Sequence, residues 1–273
     1  MCGIYLAACR HGHVPPTKRL LELLSRRGPD CVHQTCHEIA VDQAVDRKDD
    51  TGHSTWPSTS SKVFITCASS VLSLRGSSTV AQPVTSTGHL DARPQPPFLC
   101  WNGEAWTFDG NSIKGNDSEH VFQTLSHVSI SAFFSTPERH ADAIAGALAS
   151  YAGPFAFAFF EPLNRRLYFG RDLLGRRSLL YRHTEDGQFL LSSMSDDTNV
   201  GWNEVEADGI YFVDLNSSTD HRGFKSDHVG YCFGSDSEPA RQRLVGTSII
   251  RYASLLTLVV HKTARTEQKY SQH

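Results

Sequence analysis

Cys2-Gly3-Ile4-Tyr5-Leu6-Ala7-Ala8-Cys9 decides how the rest of the chain is read. From Ile4 onward the stretch is apolar without a polar break, the pattern of a buried strand. It also puts a thiol in the second position of the chain. If the initiator Met1 is cleaved, that thiol becomes terminal. The α-amine beside it, with a reference pKa of about 7.7–8.0, can then take its proton. Nucleophile and general base would share one residue, and no histidine partner is needed. The plainer alternative is a small apolar residue opening a strand, since free cysteine is commonly buried and inert.

Outward from this strand, Pro15-Pro16 precede Thr17 to Arg26, where Leu20, Leu21, Leu23 and Leu24 recur at helical spacing and Gly28-Pro29 end the helix. Asp46 to Ser61 is rich in Ser, Thr, Asp and Lys and reads as a solvated loop, while Val63 to Leu74 reads as a strand ended by Arg75-Gly76. Phe98 to Trp101 is a short buried strand expected to run into a turn at Asn102-Gly103, and Asp109-Gly110 is a further turn candidate. Asp117 to Leu125 and Glu138 to Ser150 read as helices. From Pro154 the pattern changes to the short strands Phe155 to Phe160, Arg166 to Arg171, Ser178 to Arg182 and Gln188 to Ser192, expected as an antiparallel meander. Beyond Leu215 no period is sustained, so residues 216–273 read as a poorly specified tail. Periodicity alone supports a mixed α/β chain.

Composition closes off several classes. With 39% hydrophobic and 20% charged residues and a net charge of −3, the chain has no basic field to hold nucleic acid. The seven cysteines never form a Cys-x-x-Cys pair, which argues against a disulfide framework and a zinc cage and fits a reducing, cytoplasmic compartment. Ile4 to Cys9 lacks a basic flank and is too short for a signal-peptide core. Leu244 to Val260 is apolar overall, but Arg251 interrupts it and it falls short of the roughly 20 residues that span a bilayer, so no membrane contact is expected. His11 and His13 have a metal-like spacing without a nearby carboxylate or thiolate, and read as loop residues. Neither a metal nor a cofactor is expected.

Behind the N-terminal Cys-Gly-Ile, further motifs follow in a fixed order: Arg26-Arg27-Gly28-Pro29-Asp30, Leu72-Ser73-Leu74-Arg75-Gly76, Trp101-Asn102-Gly103-Glu104, Gly115-Asn116-Asp117-Ser118-Glu119, and Arg171-Asp172-Leu173-Leu174-Gly175-Arg176-Arg177-Ser178-Leu179-Leu180-Tyr181. Each alone is weak. In this order they resemble the class II glutamine amidotransferase domain of the asparagine synthetase family, over residues 2–215. The spacing is most similar to the group of asparagine synthetase domain-containing proteins, in which Trp202-Asn203-Glu204-Val205 to Leu215 also has a counterpart.

The resemblance implies an α+β fold of the N-terminal nucleophile hydrolase type, four αββα layers with two stacked antiparallel sheets flanked by helices. It also implies glutamine as substrate, Cys2 as nucleophile, and the Asn102 side-chain amide with the Gly103 N–H as oxyanion donors. Arg75, next to Leu74, would hold the substrate α-carboxylate in a bidentate pair, and Asp117 would accept its α-ammonium. Glu104 follows the Asn-Gly pair as in asparagine synthetases and is placed at the substrate. Read without the resemblance, Asn102-Gly103 is a hairpin turn and Asp117 a helix N-cap. Arg27, Gly28 and Asp30 are expected to order the loop around the thiol, with an Arg27–Asp30 ion pair. Asp172, Gly175 and Arg177 match a structural connection, whose usual proline is replaced by Ser178.

The family's Ser-Gly-Gly-x-Asp-Ser loop for ATP does not occur, and Ser217-Ser218-Thr219-Asp220 lacks the glycines that wrap a phosphate. The expectation is therefore the ammonia-releasing half without its synthetase domain, which a domain or subunit in trans would supply. The unpatterned tail favours a truncated or misjoined gene model over a genuine short form. Two other functions compete: a non-catalytic module that binds glutamine without turnover, and a peptidase of the same fold. A mid-chain peptide bond offers neither charge that Arg75 and Asp117 would read, which disfavours the peptidase.

Overall fold

The opening octapeptide forms β1 (Gly3–Cys9), buried at every position and central in its sheet. The computed structural model describes residues 1–43, 47–48, 54–55, 59–86, 95–196, 201–216, 224 and 226–230; Leu244 to Val260 lies outside them. α1 (Lys18–Arg27) starts where Thr17 Oγ1 accepts from Leu20 N at 3.1 Å, and buries Leu20 and Leu24. β2 (Cys31–Gln43) and β5 (Thr59–Val71) pair antiparallel along their whole length, with the short strands β3 (Arg47–Lys48) and β4 (Ser54–Thr55) between them. Part of the expected solvated loop is therefore strand, because a long partner extends the ladder further than local composition suggests.

β6 (Val84–Thr85) and β7 (Phe98–Gly103) follow, then the hairpin of β8 (Thr107–Phe108) and β9 (Asn111–Ser112). Asp109 and Gly110 join that hairpin with φ of 47° and 79°, the positive pair of a type I′ turn. Next come α2 (Asp117–Ser131), α3 (Pro137–Ala149) and β10 (Tyr151–Ala152). The chain continues with β11 (Phe155–Glu161), β12 (Arg166–Arg171), β13 (Leu180–His183), β14 (Phe189–Ser192), β15 (Asn203–Glu204), β16 (Gly209–Asp214) and β17 (Ser226–Gly230).

Two six-stranded antiparallel sheets carry the architecture, in the orders β15-β13-β14-β1-β5-β2 and β17-β16-β12-β11-β7-β6. Alternation along the strands sorts the side chains into layers. Ile4 and Leu6 of β1 meet Phe98 and Cys100 of β7, Phe160 of β11 and Phe169 of β12 between the sheets. Tyr5 and Ala7, the intervening residues of β1, face Leu20 and Leu24 of α1. Leu99, Trp101, Phe157 and Phe159 face Val121 and Leu125 of α2 and Ile144 and Leu148 of α3. The layers therefore run helix, sheet, sheet, helices, the αββα arrangement that the resemblance implies. Each buried phenylalanine contributes roughly 2–3 kcal/mol of transfer free energy to holding the layers together.

Three details depart from the pattern reading. The expected meander is two hairpins in different sheets: β11 pairs with β12 in one and β13 with β14 in the other, so the chain crosses between sheets after Arg171. Asn102-Gly103 is not a turn but the end of β7, opposite Ala156 and Phe155. The second sheet also continues past Leu215, since β17 pairs with β16. Among the described residues no helix is long and apolar enough to cross a membrane.

Candidate active site

Cys2 sits one residue before β1 and is 8% exposed. Its Sγ accepts from Leu72 N at 3.5 Å and lies 3.8 Å from Leu72 O. Burial pushes the thiol up; the Leu72 N–H and the positive chain start pull it down, as does Arg177, while Asp117 adds to the rise. The Met1 ammonium donates to Arg27 O at 3.1 Å, and burial holds it below its usual range. Cys2, Leu72, Leu74, Arg75, Gly103, Glu104 and Asp117 line one cleft that is partly open to solvent.

On β7, Phe98 and Cys100 face the space between the sheets, and Asn102 follows on the same side. The Asn102 side chain is wholly buried, and neither its Nδ2 nor its Oδ1 has a hydrogen-bond partner among the described residues. Buried amides are almost always satisfied, so an orphaned one needs a reason. Gly103 presents its N–H differently from a turn. Glu104 N donates to Pro154 O beside β11, whereas Trp101 N donates the other way, to Gln82 Oε1 at 2.6 Å. By that alternation the Gly103 N–H faces the sheet edge, where β6 has ended and the cleft begins. A side chain cannot replace the Gly103 hydrogen, because a Cβ would stand 2.2 Å from Pro154 O.

The expected substrate clamp is only partly free. Both terminal nitrogens of Arg75 donate to backbone carbonyls, Nη1 to Ala105 O and Nη2 to Ile113 O at 2.6 Å. Asp117 Oδ2 accepts from Trp101 Nε1 at 3.2 Å and Ala105 N at 2.7 Å, while Oδ1 has no such partner among the described residues. Asp117 is not the N-cap of α2; Asn116 is, its Oδ1 taking Glu119 N at 3.2 Å. Leu74 is exposed at the cleft rim, and Glu104 Oε1 lies 3.9 Å from Arg177 Nη2.

The Arg27–Asp30 ion pair does not form. Arg27 Nη1 donates to Ser178 Oγ at 3.2 Å and Ser193 O at 3.3 Å, and Asp30 Oδ2 takes Ser73 N at 2.8 Å. Each side chain finds its own partner on either side of Gly28 in sequence, and the Gly28 N–H caps α1 on Leu24 O. Both hold the surroundings of the thiol, Asp30 through the segment that carries Leu72. Asp172, buried, accepts from Phe155 N, Leu174 N and Arg176 N, which fixes the β12–β13 connection. Ser178 adds a tether there that proline could not, its Oγ donating to Ser193 O at 2.7 Å.

Leu72, Gln82 and Arg177 were not singled out for the site by the sequence. Leu72 contributes only backbone atoms, and Gln82 stands in no motif; Arg177 lay within one, but its neighbours are distant in sequence. His13 rests on Thr66 Oγ1 at 3.3 Å, and among the described residues no group of three His, Cys, Asp or Glu side chains could hold a metal.

Residues 76–197 match the family described as glutamine amidotransferase domain. Asparagine synthetase domain-containing protein 1 of Mus musculus is 29% identical over 227 residues, covering 80% of this chain and 30% of that protein. Its Bos taurus counterpart is 30% identical over 226 residues, covering 80% and 29%. The chain thus spans about 30% of the length of these relatives. A solved structure of glutamine phosphoribosylpyrophosphate (PRPP) amidotransferase from B. subtilis is similar with a TM-score of 0.45 and 16% identity, over 83% of this chain and 49% of that one. The sequence comparisons thus agree that residues 76–197 match a glutamine amidotransferase domain and that 80% of the chain is similar in sequence to asparagine synthetase domain-containing proteins.

Proposed function

We propose that the chain is the glutaminase half of an asparagine synthetase-like protein, with residues 2–215 as the catalytic domain and Cys2 as nucleophile after loss of Met1. In this reading the freed amine takes the thiol proton, the thiolate attacks the side-chain amide of glutamine, and a tetrahedral oxyanion forms. Asn102 Nδ2 and the Gly103 N–H receive that oxyanion; one such donor is worth roughly 3–4 kcal/mol of transition-state stabilisation. Collapse expels ammonia with the proton from the amine and leaves a thioester, which water hydrolyses to glutamate. Asp117 Oδ1 suits the substrate ammonium. Arg75 suits its carboxylate once one of its carbonyl contacts is exchanged, and Leu74 and Glu104 border the same end. The relation to asparagine synthetase domain-containing proteins favours asparagine biosynthesis as the use of the ammonia. The six described cysteines, all unpaired, suit a cytoplasmic setting.

One observation supports the reading above the others: a fully buried Asn102 amide with no partner for either polar atom among the described residues, on the residue between Trp101 and Gly103, which both line the cleft that holds Cys2. The test is ammonia release from glutamine by the protein, with intact mass establishing that Met1 is absent. Cys2→Ala is expected to abolish release without loss of fold. Unchanged release by that variant, or retention of Met1 in an active preparation, would sink the proposal. The alternative, a module that binds glutamine without turnover, draws support from the engagement of Arg75 with Ala105 and Ile113. Calorimetric binding of glutamine with no ammonia would favour it.

A further inference from the structure

Gln82 lies two residues before β6, is 3% exposed and lines the cleft that holds Cys2. Trp101 N donates to its Oε1 at 2.6 Å. That bond fixes which end of the carboxamide is which, because a backbone N–H can meet only the oxygen. The amide nitrogen is left over. Nε2 has no hydrogen-bond partner among the described residues, and it is not sealed from solvent as Asn102 Nδ2 is. An anchored carboxamide therefore offers its two remaining hydrogens to the cleft, where a nearly buried glutamine rarely leaves them unused.

Its place beside β7 decides what those hydrogens can meet. β6 pairs with β7 only at Leu99 and Phe98, so Gln82 takes over the strand edge at Trp101, and the edge is open at Gly103. These two backbone donors point the same way, one strand repeat apart, roughly 6.8 Å. That is the scale of an extended glutamine from its side-chain amide to its α-carboxylate. Trp101 also braces the acceptor, because its indole donates to Asp117 Oδ2 at 3.2 Å and Oδ1 has no partner among the described residues. Gln82 Nε2 and Asp117 Oδ1 thus form a donor and an acceptor in one cleft, held on one residue, and match the two charges of an amino acid. Arg75 does not fill the donor's place as it stands, since both terminal nitrogens are bonded to Ala105 O and Ile113 O.

We propose that Gln82 is a substrate-binding residue, its Nε2 donating to the α-carboxylate of glutamine while Asp117 Oδ1 takes the α-ammonium. The inference rests on the reading of this cleft as a glutamine site. Arg75 supplies the positive charge, and a neutral amide adds a directed hydrogen bond without placing a second cation in the same cleft. The Trp101 bond fixes its reach, so Gln82 also discriminates. A ligand without the carboxylate leaves Nε2 without a partner and binds less well.

The test is calorimetric binding of glutamine to the full chain carrying Cys2→Ala, which removes turnover, with Gln82 intact or replaced in Gln82→Glu and Gln82→Met. The first variant keeps an oxygen for Trp101 N and loses the donor; the second loses both, so urea unfolding is followed alongside. A neutral carboxyl could still donate, so Gln82→Glu is read at pH 9 as well as pH 7. Both variants should bind glutamine about 10- to 100-fold more weakly, the worth of a hydrogen bond to a charged group, with the glutamate variant weaker at pH 9 than at pH 7. A role confined to holding the strand edge predicts instead that Gln82→Glu binds as the parent does. That result at pH 9, or parent-like affinity in Gln82→Met, overturns the proposal. Where Gln82→Met does not fold, Gln82→Glu decides. If the chain with Gln82 intact neither binds nor hydrolyses glutamine, the proposed function falls and this assignment with it. If that chain binds glutamine and Gln82→Glu matches it at pH 9, Gln82 alone is wrongly assigned.

Discussion

Asp117 and Trp101 are joined by a buried hydrogen bond, indole Nε1 to carboxylate Oδ2 at 3.2 Å, and the same oxygen takes the Ala105 N–H at 2.7 Å. One carboxylate oxygen is thereby committed to the join between β7 and α2, leaving the other at the cleft. Structure and recognition can be separated on this side chain. Asp117→Ala strands two buried donors and is expected to cost about 3 kcal/mol in urea unfolding. Asp117→Asn keeps an acceptor and should cost about 1 kcal/mol, while raising the KM for glutamine as the alanine variant does. Equal KM for Asp117→Asn and the parent would remove Asp117 from the substrate site.

Asn102 behaves in the opposite way, since its amide contributes no hydrogen bond to the fold. Asn102→Ala should therefore change stability by no more than about 1 kcal/mol. Under the proposed mechanism it should lower kcat by about 10²–10³. A large loss of stability with intact turnover would show that the amide serves the core.

Gly103 is constrained by its neighbour strand. The Cβ of Gly103→Ala would meet Pro154 O and the Phe155 Cα, at 2.2 and 2.6 Å, both backbone atoms that cannot swing away. Overpacking of this kind costs about 2–3 kcal/mol, to be seen as a lower urea midpoint. A midpoint unchanged from the parent would mean that β7 and β11 part more easily than their register suggests.

His140 gives the fold a dependence on pH. It is 1% exposed, with Nδ1 3.3 Å from the Tyr168 hydroxyl and Nε2 3.3 Å from Ser129 O. Burial holds its proton affinity below the usual range, with Glu161 acting the other way. Glu161 is already satisfied by Ser129 Oγ, Leu163 N and Asn164 N, so the network does not require a charged histidine. The unfolded chain then binds the proton more readily, and stability is complete above about pH 6.5 and falls as pH drops through the lower folded value. His140→Gln should show a shallower loss of stability between pH 7 and 5. Because His37, His120 and His183 are shifted downward too, the slope should be reduced and not abolished. An identical slope in the variant would place the sensitivity elsewhere.

Local order was legible wherever a short stretch carries its own instructions. The unbroken apolar run after Cys2 specified β1, the leucine spacing behind Thr17 specified α1, and Asp109-Gly110 specified its hairpin. Of the residues that the resemblance marks for a site, Cys2, Leu74, Arg75, Gly103, Glu104 and Asp117 line one cleft, while Asn102 is buried and is not among the lining residues. Only the tertiary structure decided that β12 and β13 belong to different sheets, that Asn102-Gly103 is a strand edge, that Arg27 holds Ser178 and Ser193 in place of Asp30, and that Arg177 reaches the chain start. The physical reason is the range of the interaction. Alternation and helical period fix which face a side chain occupies, while the strand laid beside it, and the charge brought from a distant loop, follow from how the layers pack.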